Sequence, residues 1–167
     1  MALRNIIKDG DPALLKKSRV ITVFDSRLHQ LLDDMAETME DANGAGLAAV
    51  QVGVIRRVCI VDVGDGIVEL INPKIIAASS EVQTGPEGCL SFPGLYGTVT
   101  RPVKVTVEAQ DRYGDPFTVE VEGLKTRALC HEIDHLDGIV FRTHATELFS
   151  AEELARREEL EQKAEDS

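Results

Sequence analysis

The first long pattern in the chain is helical. Leu28, Leu31, Leu32, Met35, Ala36 and Met39 recur every three or four positions and make one apolar face. That face predicts a helix over about 26–42, stopped by Asn43-Gly44. The pattern then shortens. RVCIVDV at 57–63 predicts a strand, 67–71 a second, and 75–78 and 82–84 two shorter ones. Residues 104–110 alternate, with Val105 and Val107 on one side; DRYGDP is a turn, and 117–121 returns as the partner strand. A second helix is predicted over 123–136, closed by Asp137-Gly138, and a third, strongly charged one over 150–163. Strands and helices without βαβ alternation predict an α+β fold.

Composition adds bounds. The 167 residues fit one domain with a real core, and no repeat or linker divides them; 150–167 reads as a charged tail. An apolar fraction of 43% and a charged fraction of 28% are ordinary for a soluble globular chain. No apolar run approaches the roughly 18 residues needed to span a bilayer. MALRNIIKDGDP has no apolar h-region, so a cytoplasmic address is expected and no membrane partner. The net charge of −11 argues against a broad grip on nucleic acid. Three cysteines, Cys59, Cys89 and Cys130, do not suggest a disulfide framework and leave thiols for packing, metal binding or catalysis.

HEIDH at 131–135 carries the chemistry. Helix residues four apart share a face, so His131 and His135 can aim at one ion, and Leu124 and Ala128 extend that face. Glu132 is turned by about 100° from His131, beside such an ion, where it can handle the proton of an activated water. The plainer reading, a helix with surface histidines, conflicts with ALCHEIDHLDGIVF, which is too apolar to be solvated; buried imidazoles and a buried carboxylate need partners. A hydrolytic site also needs a third protein ligand, with the fourth position left to water. Downstream, His144, Glu147 and the acidic tail offer groups. The extended metalloprotease pattern HExxHxxGxxH fails, because Phe141 stands where its last histidine belongs. Upstream, Cys89 is the better candidate for that third ligand: it lies between glycine-rich turns in GPEGCLSFPG and is held by backbone geometry, the alternative being a small core residue. Finally, Gly44, Gly46 and Ala49 in GAGLAAVQ fit GxGxxA, but a dinucleotide fingerprint needs a strand before it and here a helix precedes. The small residues point to a backbone that something approaches closely, and Gln51 carries an amide able to donate to an oxyanion.

In this order and at these separations, GAGLAAVQ, EGCLS and HEIDH resemble the three signature motifs of the peptide deformylases. The resemblance covers about residues 5–149 and includes DGDPALLKKS, DDMAETM and EGCLSFPGLYGTVTRP. It implies antiparallel sheets around a central HExxH helix. It also implies removal of the N-formyl group from the N-terminal methionine of newly synthesised proteins, with release of formate. By motif position it implies Cys89, His131 and His135 as metal ligands and Glu132 as general acid/base. Gln51 and the Leu90 N–H become oxyanion donors. Ala45 and Gly46 lie where the formyl-peptide backbone is held. Leu124, Ala128 and Phe92 or Tyr96 are expected near the methionine side chain, and Glu87 and Arg101 are expected to hold the loops together. The resemblance implies Fe2+, whereas a thiolate with two imidazoles suits Zn2+ by softness; Zn2+, Ni2+ or Co2+ are expected substitutes.

Cys130 stands where the family usually has glutamine. It faces away from the ligand pair and reads as a buried thiol, as does Cys59. His29 and His144 read as surface histidines. Some relatives are thought to dock the ribosome through the C-terminal helix. Here that segment carries seven acids against three bases, a poor match for RNA, and reads instead as a solvated face with i,i+4 pairs. The rival readings are an HExxH metalloprotease, told apart by its third ligand, and an inactive deformylase-like binding module.

Overall fold

The computed structural model describes residues 2–166. After a short 3-10 turn at Pro12–Leu15, the chain forms α1 (Ser26–Asp41), β1 (Gly46–Ala48), β2 (Val58–Val61), β3 (Val68–Ala78), β4 (Val82–Gly88) and β5 (Leu95–Pro102). It continues through β6 (Lys104–Gln110), β7 (Pro116–Glu122), α2 (Leu124–Leu136), β8 (Glu147–Ser150) and α3 (Ala151–Asp166). The strands pair antiparallel in two sheets, ordered β1-β2-β3-β6-β7 and β4-β5-β8. This is the expected α+β architecture, and HEIDH lies on α2.

Side-chain alternation decides where the helices pack. Successive strand residues face opposite sides of a sheet. Leu47, Ala49, Val58, Ile60 and Ile71 face α1 and meet its stripe of Leu28, Leu31, Leu32, Met35 and Met39. Ala48, Val50, Cys59, Val61 and Leu70 face α2 and meet Leu129, Cys130, Ile133 and Leu136. All of β2 is therefore buried, because both faces of its sheet are covered. Each large aliphatic side chain buried this way contributes about 1.5–3 kcal/mol. A third cluster of Leu14, Phe92, Val99, Val140 and Phe141 packs under the second sheet and closes the other flank of α2.

The ends of α1 follow its sequence. The Asp25 side chain accepts from the N–H groups of Arg27 and Leu28, and Asn43 takes φ 56° just past the helix.

Several elements differ from the expectation. The segments at 67–71 and 75–78 are one strand, β3, with a register shift between Ile71 and Lys74. Asn72 turns the corner at φ 52°, and its side chain is tied to Ile21 and Gln110. The strand expected at 82–84 runs on to Gly88, because β4 pairs only with β5 and an edge strand tolerates Pro86. The pattern gave no sign of β1, β5 or β8. His29, expected at the surface, is half-buried: its Nε2–H donates to the Arg112 carbonyl at 2.8 Å, and its ring meets Tyr113 edge-on.

Candidate metal centre and its cavity

The helix face of α2 brings His131 and His135 together, as their spacing requires. Their Nε2 atoms lie 3.2 Å apart, and Cys89 Sγ is 3.2 Å from His135 Nε2. The three ligand-type atoms all lie within 4.8 Å of one another, a group that could hold a metal ion. The residues fit such an ion. A tetrahedral set with nitrogen at about 2.0–2.1 Å and sulfur at about 2.3 Å has edges of roughly 3.3–3.6 Å. His135 is fully buried, and burial, with His131 beside it, pushes its imidazole down to about 3, so the ring stays neutral, the form that binds metals.

Other groups hold the ligand-type atoms in place. His131 Nδ1–H donates to Glu87 Oε2 at 2.8 Å; in the neutral imidazole, the form that binds a metal, this bond makes Nε2 the atom with the lone pair. Glu87 is itself clamped by Arg101, through Nε and Nη2, and by Arg127 through Nη1. Burial opposes ionisation of Glu87, but the hydrogen bonds from His131 and Arg101 outweigh it and hold its carboxyl down at about 2. Arg101 Nη1 also donates to Asp134 at 2.7 Å. Beneath His131 lies the ring of Phe141, near-parallel at 6.0 Å between centroids. The residue that breaks the extended metalloprotease pattern is thus an apolar wall.

Glu132 is nearly buried, and its Oε1 has no hydrogen-bond partner among the described residues. Burial pushes its carboxyl up to about 7. It packs against Gly46, whose missing side chain makes the room: a Cβ there would lie 2.9 Å from Glu132 Cδ and collide with Oε2. On the other side, the Gln51 amide is fixed at both ends. Its Oε1 accepts from the Ala48 N–H at 2.9 Å, so its Nε2 points at Ser91 Oγ (3.1 Å) and Cys89 Sγ (3.5 Å). The Leu90 N–H makes no hydrogen bond to another described residue.

These groups line a cavity of about 380 Å³. Cys89, His131, Glu132, Gln51 and Leu90 contribute to it, as do Ala45, Gly46, Leu124, Ala128, Phe92 and Tyr96. Leu124 stands at the mouth and is 63% exposed, not enclosed. The alternative ligand candidates lie elsewhere: His144 is exposed and contacts Asp134 at 3.3 Å, and Glu147 is paired with Arg157. Cys59, on β2, and Cys130, on α2, are buried thiols in the core between the sheet and that helix, as expected. Sequence reasoning assigned Glu87 and Arg101 to loop support and missed the direct bond to His131. It missed Ser91 altogether, and it missed Arg127, although a position four before His131 was a signal that could have found it.

The chain matches the family model described as polypeptide deformylase over residues 3–150. A peptide deformylase of Caldicellulosiruptor bescii is 53% identical over 157 residues, which is 94% of this chain and 94% of that protein. One from Acetivibrio thermocellus is 54% identical over 159 residues, covering 95% and 93%. Among solved structures, the peptide deformylase of Thermotoga maritima superposes with a TM-score of 0.85 at 37% identity, over 87% of this chain and 99% of that one. That of Synechococcus elongatus, solved with actinonin, gives 0.84 at 35% identity, over 86% and 79%.

Proposed function

The chain belongs to the polypeptide deformylase family, a family of hydrolases, and we propose that it removes the N-formyl group from the N-terminal methionine of newly made proteins and releases formate. The observation that carries this reading is the convergence of Cys89, His131 and His135 on one point of a cavity that Gln51, Leu90 and Glu132 also line.

A divalent ion held by Cys89, His131 and His135 would supply an activated water and polarise the formyl carbonyl. Glu132 takes the proton of the attacking water and returns it to the amine nitrogen as the C–N bond breaks. Gln51 Nε2 and the Leu90 N–H donate to the oxygen that gains charge, and one such donor is worth roughly 3 kcal/mol. The bond from Ala48 N–H to Gln51 Oε1 keeps the amide's donor end toward the reaction. Ala45 and Gly46 hold the peptide backbone. Leu124, Ala128, Phe92 and Tyr96 receive the methionine side chain and exclude water. Ferrous iron is the proposed native ion; the same thiolate and imidazoles suit zinc, so Zn2+, Ni2+ or Co2+ can replace it. The substrates are nascent formylmethionyl chains, and the cytoplasm is the proposed address. No helix among the described residues is long and apolar enough to cross a membrane.

The test is anaerobic incubation of the iron-loaded protein with a formyl-methionyl peptide. Stoichiometric formate and free amine are expected. Cleavage at an internal peptide bond would make the protein a metalloprotease, and binding without formate would make it an inactive module. Actinonin, which the Synechococcus elongatus enzyme binds in its crystal, is expected to suppress the release.

Gly46→Ala tests the packing behind this mechanism. The added Cβ displaces the Glu132 carboxylate. A misplacement of about 1 Å can cost on the order of 10²-fold in rate. A loss of that order in kcat is expected, with metal content unchanged. A variant with wild-type turnover would separate Glu132's position from the chemistry.

A further inference from the structure

We propose that Arg127 is a positioning residue for the metal centre: by holding Glu87 Oε1 it reserves Oε2 for His131 Nδ1–H and so keeps His131 Nε2 turned toward the ion. The proposal rests on the metal-site reading above and adds to it a residue from the catalytic helix itself.

Arg127 stands four residues before His131, one turn up the same face of α2. It is 7% exposed. Its Nη1 donates to Glu87 Oε1 at 3.1 Å and to the Val99 carbonyl at 3.0 Å, and its Nη2 reaches the Gln83 carbonyl at 3.4 Å. One side chain thus ties α2 to both β4 and β5 at the level of the ligand histidine.

The bonds at Glu87 show why a second arginine is needed. A carboxylate oxygen accepts about two hydrogen bonds. Oε1 accepts from Arg101 Nε (3.1 Å) and Arg127 Nη1, and Oε2 accepts from Arg101 Nη2 (2.7 Å) and His131 Nδ1 (2.8 Å). Arg101 presents only its Nε and Nη2 edge to Glu87, one donor to each oxygen, and its Nη1 bonds Asp134, so the fourth place is filled by Arg127. Without Arg127, Oε1 loses a donor on a carboxylate that is only 5% exposed. With that anchor gone the carboxylate is free to rotate, and rotation takes Oε2 away from His131. The imidazole then loses the bond that fixes its ring and its tautomer. Loss of such an outer partner typically costs 10–100-fold in metal affinity.

The experiment uses the whole protein loaded with Zn2+ as the probe ion. Zinc release into a chromogenic chelator is followed for wild type, Arg127→Met, Glu87→Gln and the double variant, alongside the melting of each metal-free protein. Arg127→Met is expected to release zinc on the order of 10–100-fold faster. In the Glu87→Gln background the same substitution is expected to add little, because the path through Glu87 is already cut. A purely structural arginine would lower the melting temperature and leave zinc release unchanged, which overturns the proposal. Effects that add in full on the Glu87→Gln background also overturn it. If Arg127→Met does not fold, Arg127→Lys carries the test. A single ammonium cannot reproduce the guanidinium fork, so faster release is expected and wild-type release would overturn the proposal. Zinc release does not depend on turnover. Wild type that holds zinc but produces no formate in the iron form would sink the deformylase reading and leave this one standing.

Discussion

Glu132→Ala is expected to keep its metal and lose nearly all turnover, at least the 10²–10⁴-fold that a general acid/base typically contributes. The two halves of that result have separate causes. Metal retention follows because the grouped ligand-type atoms come from Cys89, His131 and His135, with Glu132 outside the group. Loss of turnover follows because, among the described residues, no second carboxylate lining the cavity is free to move a proton; Glu87, which also lines it, is held by two arginines and His131. The fold is not expected to suffer. A buried carboxyl whose Oε1 has no hydrogen-bond partner among the described residues costs free energy in the folded state. Alanine there should melt at the wild-type temperature or above it, the usual relation between a strained site and stability. Formate release, metal per chain and thermal melting on one preparation check all three. Wild-type kcat would remove Glu132 from the mechanism, and loss of metal would make it a ligand.

Cys89→Ala is expected to fail differently, by emptying the site. Two imidazoles alone do not hold a divalent ion against chelators, because a hydrolytic site needs three protein ligands. Affinity should fall by more than the roughly 10–100-fold that loss of an outer partner costs. Activity should fall with occupancy and return in part at high metal concentration. The Gln51 amide also loses its sulfur neighbour but keeps Ser91 and Ala48, so its position should survive. Metal analysis after dialysis checks this. If the cysteine variant stayed loaded and Glu147→Ala emptied the site, the third ligand would lie downstream and the protein would read as a metalloprotease.

Parts of the molecule were legible because one local rule governed them. The stripe of α1 was readable since a single face meets the sheet. β6 and β7 were readable because they alternate around a turn. β5 was not. It holds Gly97, where a Cβ would come within 2.8 Å of Ala145 and 3.2 Å of Phe141, so close packing, not propensity, chose the residue. β3 looked like two strands because Asn72 bends it, and the side chains that pin Asn72 are distant in sequence. The site divides in the same way. His131, Glu132 and His135 are legible from helical spacing, which alone supports only a generic hydrolytic centre. Cys89 and Gln51 have no periodicity: glycine-rich turns and small residues made them candidates, and the resemblance of whole motifs gave them their roles. Arg127, Ser91 and the Glu87–His131 bond depend on how β4 and β5 lie against α2, and no local pattern encodes that.

The most direct measurement is a reconstitution. Ferrous ion is added in increments to metal-free protein without oxygen, and formate release from a formyl-methionyl peptide is read at each addition. Turnover is expected to rise in proportion to the ion and to level at one per chain. Formate release by metal-free protein, or none from a chain that holds its full equivalent, would contradict it.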